Sequence, residues 1–282
     1  TYINEFSYLH SRDMSYATFC EGPHTENLPE DGLASSTSYH TRRFMMNTVI
    51  HTEERQPFAV RKQSADGATI RDPVALAGPL VGLTFLTGFG TAMAKAKAPY
   101  PRPGSTPEQI QRYFQGSASA ARISAAGQLL SSMALIPFTA AVLHLAGRTD
   151  HDARPLETAV MAGGALAAAG LATSAVCTAA LTGDPGRQPE RAATLSRWAF
   201  LAGGIVHGVG FGLLMGALGL AGQRTGALSR RLAQAGVASG VAGLLAPLYL
   251  AAEPAGWLIP LGRFSGLLIS GIAGVQLARR AR

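Results

Sequence analysis

The fold class is decided by the stretch RWAFLAGGIVHGVGFGLLMGALGLAG, residues Arg197–Gly222. It exceeds the roughly 20 apolar residues that an α-helix needs to cross a bilayer. Glycines recur at every fourth position, so they share one side of the predicted helix: Gly204, Gly208, Gly212 and Gly216. Because glycine has no side chain, another helix can approach this side closely. We predict a transmembrane helix that packs along this glycine ridge, with the first or the sixth span as its neighbour.

Five more apolar stretches follow Asp72, and charged residues fall almost entirely between them. This alternation is typical of a polytopic membrane protein. In the last stretch, Gly262 and Gly266 repeat the four-residue spacing and are predicted helix-packing positions. The predicted fold class is an all-α, polytopic transmembrane helix bundle over residues 73–282. Its six spans are expected at about 74–94, 120–146, 156–181, 197–222, 232–252 and 257–277.

Residues 1–72 differ from the rest of the chain, because they are polar, poor in alanine and without convincing periodicity. Such a composition cannot bury a core, so we predict a largely disordered N-terminal segment. Two interpretations are favoured: an upstream extension of the reading frame, with the natural start at Met45 or Met46, or a cytosolic tail. A folded N-terminal domain is the third and is disfavoured by the low apolar content. In either favoured case residues 1–44 are expected to make no packed contacts with the bundle.

The distribution of basic residues predicts the orientation. With the N-terminus inside, the inner segments carry twelve arginines and lysines and the outer segments eight. Aromatic residues expected at the outer interface agree: Tyr100, Tyr113, Trp198, Tyr249 and Trp257. We therefore predict a multi-pass protein of the cell membrane with both termini cytoplasmic.

The formal net charge of +7 does not indicate nucleic-acid binding, since the arginines flank apolar spans instead of forming one patch. The two cysteines, Cys20 and Cys177, are isolated and predict neither a disulfide nor a metal site. The sequence carries no phosphate-binding glycine loop, no paired carboxylates within a span and no hydrolase signature. We expect no catalytic residues, no cofactor and no enzymatic activity.

Four polar residues are candidates for an intramembrane site: His207, Gln128, Glu253 and Arg263. An ionisable side chain at bilayer depth is by default a functional-site hypothesis. For His207 the alternative is a structural imidazole hydrogen-bonded to the next helix. Arg263 lies roughly 10 Å inside the sixth span at 1.5 Å per residue, so it must pair or reach the interface, and Glu253 is its nearest acid. Gln128 is either an interhelical hydrogen-bond partner or a substrate contact.

The first outer segment, KAKAPYPRPGSTPEQIQRYFQGS over residues 95–117, combines four prolines with a short helix capped at Thr106. The apolar face of that helix, with Ile110, Tyr113 and Phe114, is expected on the membrane surface. Followed by a span that opens near Arg122, this layout resembles uncharacterised multi-pass membrane proteins of high-GC bacteria. The resemblance covers residues 73–282 and implies a membrane location without implying an activity.

The first functional hypothesis is a helix-packing or accessory membrane subunit, whose small-residue ridges bind another membrane protein or a second copy. The alternative is a small-molecule or proton-linked transporter that uses His207 and Arg263. A third and least favoured class is a membrane enzyme. Glycine ridges facing lipid would favour the subunit, charged residues gathered inside the bundle would favour the transporter, and a polar cluster open to one face would favour the enzyme. In every case the lipid bilayer is a partner and nucleic acid is not.

Overall fold

The computed structural model describes residues 73–101, 104–149 and 153–280. These residues form helices and turns without a strand, which confirms the all-α fold class. Six helices are long and apolar enough to cross a membrane: Val74–Lys95, Ala118–Ala146, Ala153–Ala180, Pro189–Arg224, Arg230–Leu250 and Pro254–Arg279. The chain thus has the pattern of a multi-pass integral membrane protein. The predicted disorder of residues 1–72 and the lack of contacts from residues 1–44 fall outside the described residues.

The eight α-helices of the described ranges follow one another as α1 Ala77–Lys95, α2 Pro107–Gly116, α3 Ala118–Ala146, α4 Ala153–Ala180, α5 Pro189–Phe200, α6 His207–Arg224, α7 Arg230–Leu244 and α8 Leu258–Arg280. A π-helical turn, Leu201–Val206, joins α5 to α6, so these three elements make one continuous fourth span. Short 3₁₀ turns lie before α1, before α5, after α7 and before α8, at Pro73–Leu76, Asp184–Arg187, Ala246–Leu250 and Glu253–Trp257 respectively.

The fourth span lies at the centre of the bundle. Within its most apolar window, 72% of residues are buried, against 39–50% for the other five spans. Helix α6 contacts α3, α4, α7 and α8, whereas the neighbours of α1 among the spans are α3 and α8. The element with the most glycine is therefore the one surrounded on several sides by other helices, as close packing in a membrane requires.

Most helix pairs meet through small residues. A Cβ added to Gly88 of α1 would lie 2.6 Å from the Cα of Gly127 in α3, so these two helices touch backbone to backbone. Between α4 and α6 the same role falls to Gly163, where an added Cβ would lie 2.7 Å from the Leu214 nitrogen. Real Cβ atoms never approach so closely, so glycine is required at these contacts.

The short helix α2 begins with a complete capping box. The Gln109 amide donates to Thr106 Oγ1 at 3.3 Å, and the Thr106 amide donates to Gln109 Oε1 at 2.9 Å. Glu108, exposed in the first turn, has its pKa lowered by a hydrogen bond from its own backbone amide and by the Thr106 hydroxyl. These interactions fix Thr106 as the cap, so α2 begins at Pro107, as the sequence predicts.

The apolar face of α2 packs on protein and not on the membrane surface, which corrects the expectation from the sequence. Ile110, Tyr113 and Phe114 are buried in a cluster with Leu181 and Ala192. The reason is that the connection after α4 and the start of α5 fold over α2, so its apolar side finds protein partners.

Candidate intramembrane polar site

The glycine ridge of the fourth span packs against α7, the fifth span, and not against the first or sixth. A Cβ on Gly212 would lie 2.7 Å from the carbonyl oxygen of Gly240 and 2.8 Å from the Leu244 nitrogen. A Cβ on Gly208 would lie 3.3 Å from the Cβ of Ala246. Gly216 is approached by Gly240, since a Cβ on Gly240 would lie 2.7 Å from the Gly216 Cα. Three of the four ridge glycines therefore serve one helix contact inside the chain.

Gly204 behaves differently from the rest of the ridge. The atoms nearest to a Cβ there would be in the ring of Phe200, one turn earlier in the same span, at 3.5 Å or more. Gly204 lies in the π-helical turn Leu201–Val206. A π turn holds more residues than an α turn, so the four-residue spacing that aligns glycines in a uniform helix does not carry through it.

The two predicted packing glycines of the sixth span both lie at helix contacts. A Cβ on Gly262 would be 2.8 Å from the nitrogen of Gly243 in α7. A Cβ on Gly266 would be 2.6 Å from the ring of Phe211 in α6 and 3.3 Å from Ser239 Oγ. Gly266 therefore makes room for an aromatic side chain between α6 and α8.

His207 is buried at the junction of the π turn and α6, with 1% of its surface exposed. Its Nδ1 lies 2.9 Å from the carbonyl oxygen of Ala167 in α4. Because a carbonyl can only accept, Nδ1 carries the hydrogen and donates it. Gly170 lets α4 come this close, since a Cβ there would lie 2.8 Å from the His207 nitrogen. The structure thus provides the carbonyl partner on the next helix that the structural interpretation of His207 requires.

A row of side chains connects His207 to α8. The imidazole stacks on the ring of Phe211, with centroids 5.3 Å apart and planes 17° from parallel. Phe211 in turn fills the space above Gly266. Arg263 lies one turn before Gly266 on α8 and within electrostatic range of His207. His207 and Arg263 thus both lie beside the contact between α6 and α8, where Phe211 packs against Gly266.

Arg263 contacts α1 through its guanidinium group. Its Cζ lies 5.3 Å from the ring centroid of Phe85, which is buried. This is a cation–π distance. The Arg263 side chain is half-buried as a whole, but its Nε and Nη2 are fully buried and have no hydrogen-bond partner. They are the only buried side-chain nitrogens or oxygens without a partner in the described part of the chain.

The position of Arg263 marks a change along the α1–α8 contact. At three successive levels this antiparallel pair packs through small residues, with Gly274 on Ala75, Gly78 on Ser270, and Gly82 on Leu267. At the next level the large side chains of Phe85 and Arg263 lie between the helices. A tightly packed interface thus gives way to one that holds a charged group.

Gln128 and Glu253 are not brought to Arg263 by any described contact. Gln128 Nε2 donates to Ser124 Oγ at 3.3 Å on its own helix, and its Oε1 lies beside Gly203 of the π turn. The hydrogen bond that the described residues give Gln128 lies within α3, and the interhelical bond stays a prediction. The side chain of Glu253 lies outside the described parts of the structure, so the predicted Glu253–Arg263 pair stays a prediction.

Two surface grooves lie away from these residues. One, of about 480 Å³, is lined by Leu143, Glu157, Thr158 and Met161. The other, of about 460 Å³, lies beside α2 and includes Lys97 and Arg112. Among residues 73–101, 104–149 and 153–280, no three histidines, cysteines or acids are grouped so that they could hold a metal ion.

Phe85 and the π turn are the parts of this site that sequence reasoning missed, since aromatic residues within apolar spans are common and nothing distinguishes Phe85 among them. Phe211 lies one helical turn after His207, and this spacing is the sequence signal for the stacked pair. Comparison of the chain with known protein families, with curated proteins and with solved structures found no match. The function must therefore be argued from the site itself.

Proposed function

We propose that this protein is a membrane transporter for a small molecule, with its binding site in the bundle interior at Arg263 and His207. The observation that carries the proposal is the pair of buried, unpartnered nitrogens of Arg263. Leaving a buried charged group without partners is costly, and such groups within membrane spans commonly mark substrate or ion pathways. A binding partner that arrives from outside the chain would supply the missing interactions.

Two further features support a transporter over the helix-packing or accessory subunit. Gly208, Gly212 and Gly216 are engaged by α7, so this ridge offers no free surface to another membrane protein or a second copy. In addition, the π turn directly precedes His207. Single π turns within α-helices are frequent at functional sites, where they interrupt the regular hydrogen-bond ladder.

The proposal can be tested by uptake into proteoliposomes. Vesicles containing the full chain, the Arg263→Gln variant or no protein are presented with the small-molecule fraction of a ¹³C-labelled cell extract. We expect at least one labelled compound to accumulate in the lumen of wild-type vesicles only, as measured by mass spectrometry. Equal lumen contents in all three preparations would overturn the proposal, provided that both proteins elute as single species.

We also propose that the chain lies in the cell membrane with both termini in the cytoplasm. Single cysteines are introduced in the connections at Ser105, Pro185 and Ala255, after serine replaces Cys20 and Cys177. These connections follow the first, third and fifth spans, so they share one side of the membrane. A membrane-impermeant maleimide is expected to label all three in intact cells. Labelling of all three only after permeabilisation would invert the orientation.

A further inference from the structure

We infer that Arg263 binds the carboxylate or phosphate group of an anionic ligand through the hydrogens of its Nε and Nη2 atoms. The inference rests on the proposed function and names the class of molecule that the interior site accepts. Four observations support it: the identity of the two unpartnered atoms, the contact that Arg263 already makes, the charges around it and the packing of α8 beside it.

The two free nitrogens are a matched pair. In a guanidinium group the Nε hydrogen and one Nη2 hydrogen point in parallel from the same edge. This edge matches the spacing of two oxygens of a carboxylate or phosphate, which it binds with two parallel hydrogen bonds. Nε and Nη2 of Arg263 are both buried and both unpartnered. An intact two-pronged donor edge is therefore available within the bundle.

The existing contact of Arg263 leaves that edge free. The guanidinium carbon lies over the ring of Phe85, 5.3 Å from the centroid. A cation–π contact engages the positive charge through the ring face and needs no N–H donor. Phe85 is itself buried, with 5% of its surface exposed. Phe85 thus contacts the face of the guanidinium while two of the donors in its plane stay without a partner in the chain.

The charges around Arg263 favour an anion. The acidic residues of the described ranges all lie at a helix start or in a connecting turn: Glu108, Glu157, Asp184, Glu190 and Glu253. None is therefore placed in the middle of a described span. The other ionisable candidate buried in the bundle interior is His207, whose imidazole is either neutral or positive. A ligand that neutralises the site must be negative.

The hydroxyl groups at the contact between α7 and α8 are already hydrogen-bonded within the chain. Ser239 Oγ of α7 donates to the carbonyl of Gly262 at 3.1 Å, and Ser265 Oγ lies 2.9 Å from Ser239 Oγ. Ser239 lies on α7 and Ser265 two residues after Arg263 on α8, and both hydroxyl groups are satisfied within the chain. Binding of an anion therefore depends on Arg263 itself, which makes a single substitution informative.

The experiment uses the purified full chain in nanodiscs of phosphatidylcholine, exchanged into chloride buffer. Sodium acetate or inorganic phosphate is then added at constant pH and ionic strength, and the unfolding temperature is followed against concentration. We expect a saturable rise for the wild type. Arg263→Gln should weaken the apparent affinity roughly tenfold or more, since charged hydrogen bonds are lost. Arg263→Lys should give an intermediate loss, because lysine keeps the charge but not the two-pronged edge.

Arg279→Gln is the matched control, because Arg279 is exposed near the end of the same helix. Its response to acetate and phosphate should equal that of the wild type. A response that is unchanged in Arg263→Gln, or absent from the wild type in every lipid, would overturn the inference. If Arg263→Gln fails to fold, the Arg263→Lys and wild-type curves still decide: identical affinities would contradict binding through the edge.

A second set of nanodiscs distinguishes the source of the anion. If phosphatidylglycerol suppresses the response to acetate in the wild type, and Arg263→Gln abolishes that suppression, the bound group is a lipid phosphate. If both lipids give the same Arg263-dependent response, the site takes a soluble anion. Arg263-dependent binding without uptake into proteoliposomes would refute the transporter and leave the anion site standing. Uptake that depends on Arg263, without a response to either anion, would support the transporter and refute the anion site.

Discussion

Replacing Gly212 with alanine is expected to destabilise the bundle, whereas the same replacement at Gly216, one turn later, is expected to stabilise it slightly. The added Cβ at position 212 would lie within 2.9 Å of three backbone atoms of α7. Backbone atoms cannot rotate away, so α6 and α7 must separate, and overpacking of this kind costs roughly 1–3 kcal/mol. At position 216 the nearest atom is 3.9 Å away, an ordinary contact, and alanine gains up to about 1 kcal/mol in helix propensity.

The measurement is the unfolding temperature of each variant in nanodiscs. Gly90→Ala is a second control, because Gly90 of α1 has no atom within 4 Å of an added Cβ. We expect stability to rise in the order Gly212→Ala, wild type, Gly216→Ala. This order would show that contact with α7 decides the effect at position 212 and helix propensity the effect at position 216. Equal melting of the two ridge variants would show that α7 does not pack along the ridge as described.

The six spans could be predicted because hydropathy and length act over many residues. The ends of the helices were harder, and the fourth span illustrates why. Its helix begins at Pro189, well before the predicted start at Arg197. The segment ERAATLSR after Pro189 is polar and helical, and its helix, α5, contacts α2 and α4. A hydropathy argument detects the membrane and does not detect a helix that continues beyond it.

The partner of the glycine ridge was predicted wrongly because several spans carry rows of small residues. Gly240 and Gly243 of α7 satisfy the requirement as well as the rows of the first and sixth spans do. The deciding factor is the short connection between α6 and α7, which makes the two helices antiparallel neighbours. Short connections between helices favour this arrangement. That signal was present in the sequence and outweighs the glycine pattern.

The candidate site was predicted only in part. The sequence indicates that Arg263 lies within a membrane span, where a charged group costs free energy. It does not indicate the aromatic neighbour, Phe85, which is far away along the chain. Glu253 was chosen as the partner because it is the nearest acid in sequence. Distance along the chain is a poor guide here, since α8 packs on α1 and α6 through contacts between distant segments. Only the three-dimensional arrangement places Phe211 between His207 and Gly266.

Replacing Arg263 with methionine is expected to raise the stability of the ligand-free protein. An arginine at the centre of a membrane helix costs about 2.5–3.5 kcal/mol on insertion scales, and Nε and Nη2 of Arg263 recover none of this through hydrogen bonds. The variant loses the cation–π contact with Phe85, worth roughly 0.5–2 kcal/mol. Methionine fills similar space and keeps a favourable contact between its sulfur and the ring. The net gain is expected to be about 0.5–3 kcal/mol.

The unfolding temperatures of wild type and Arg263→Met are compared in phosphatidylcholine nanodiscs washed into chloride buffer, with Arg279→Met as the exposed control on the same helix. A gain at position 263 alone would mean that the wild-type residue is retained at the expense of stability, as binding residues often are. A loss would instead mean that Arg263 already has a counter-charge within the folded chain. Glu253→Gln then identifies it: if Glu253 is that partner, this variant is destabilised in the wild-type background and not in Arg263→Met.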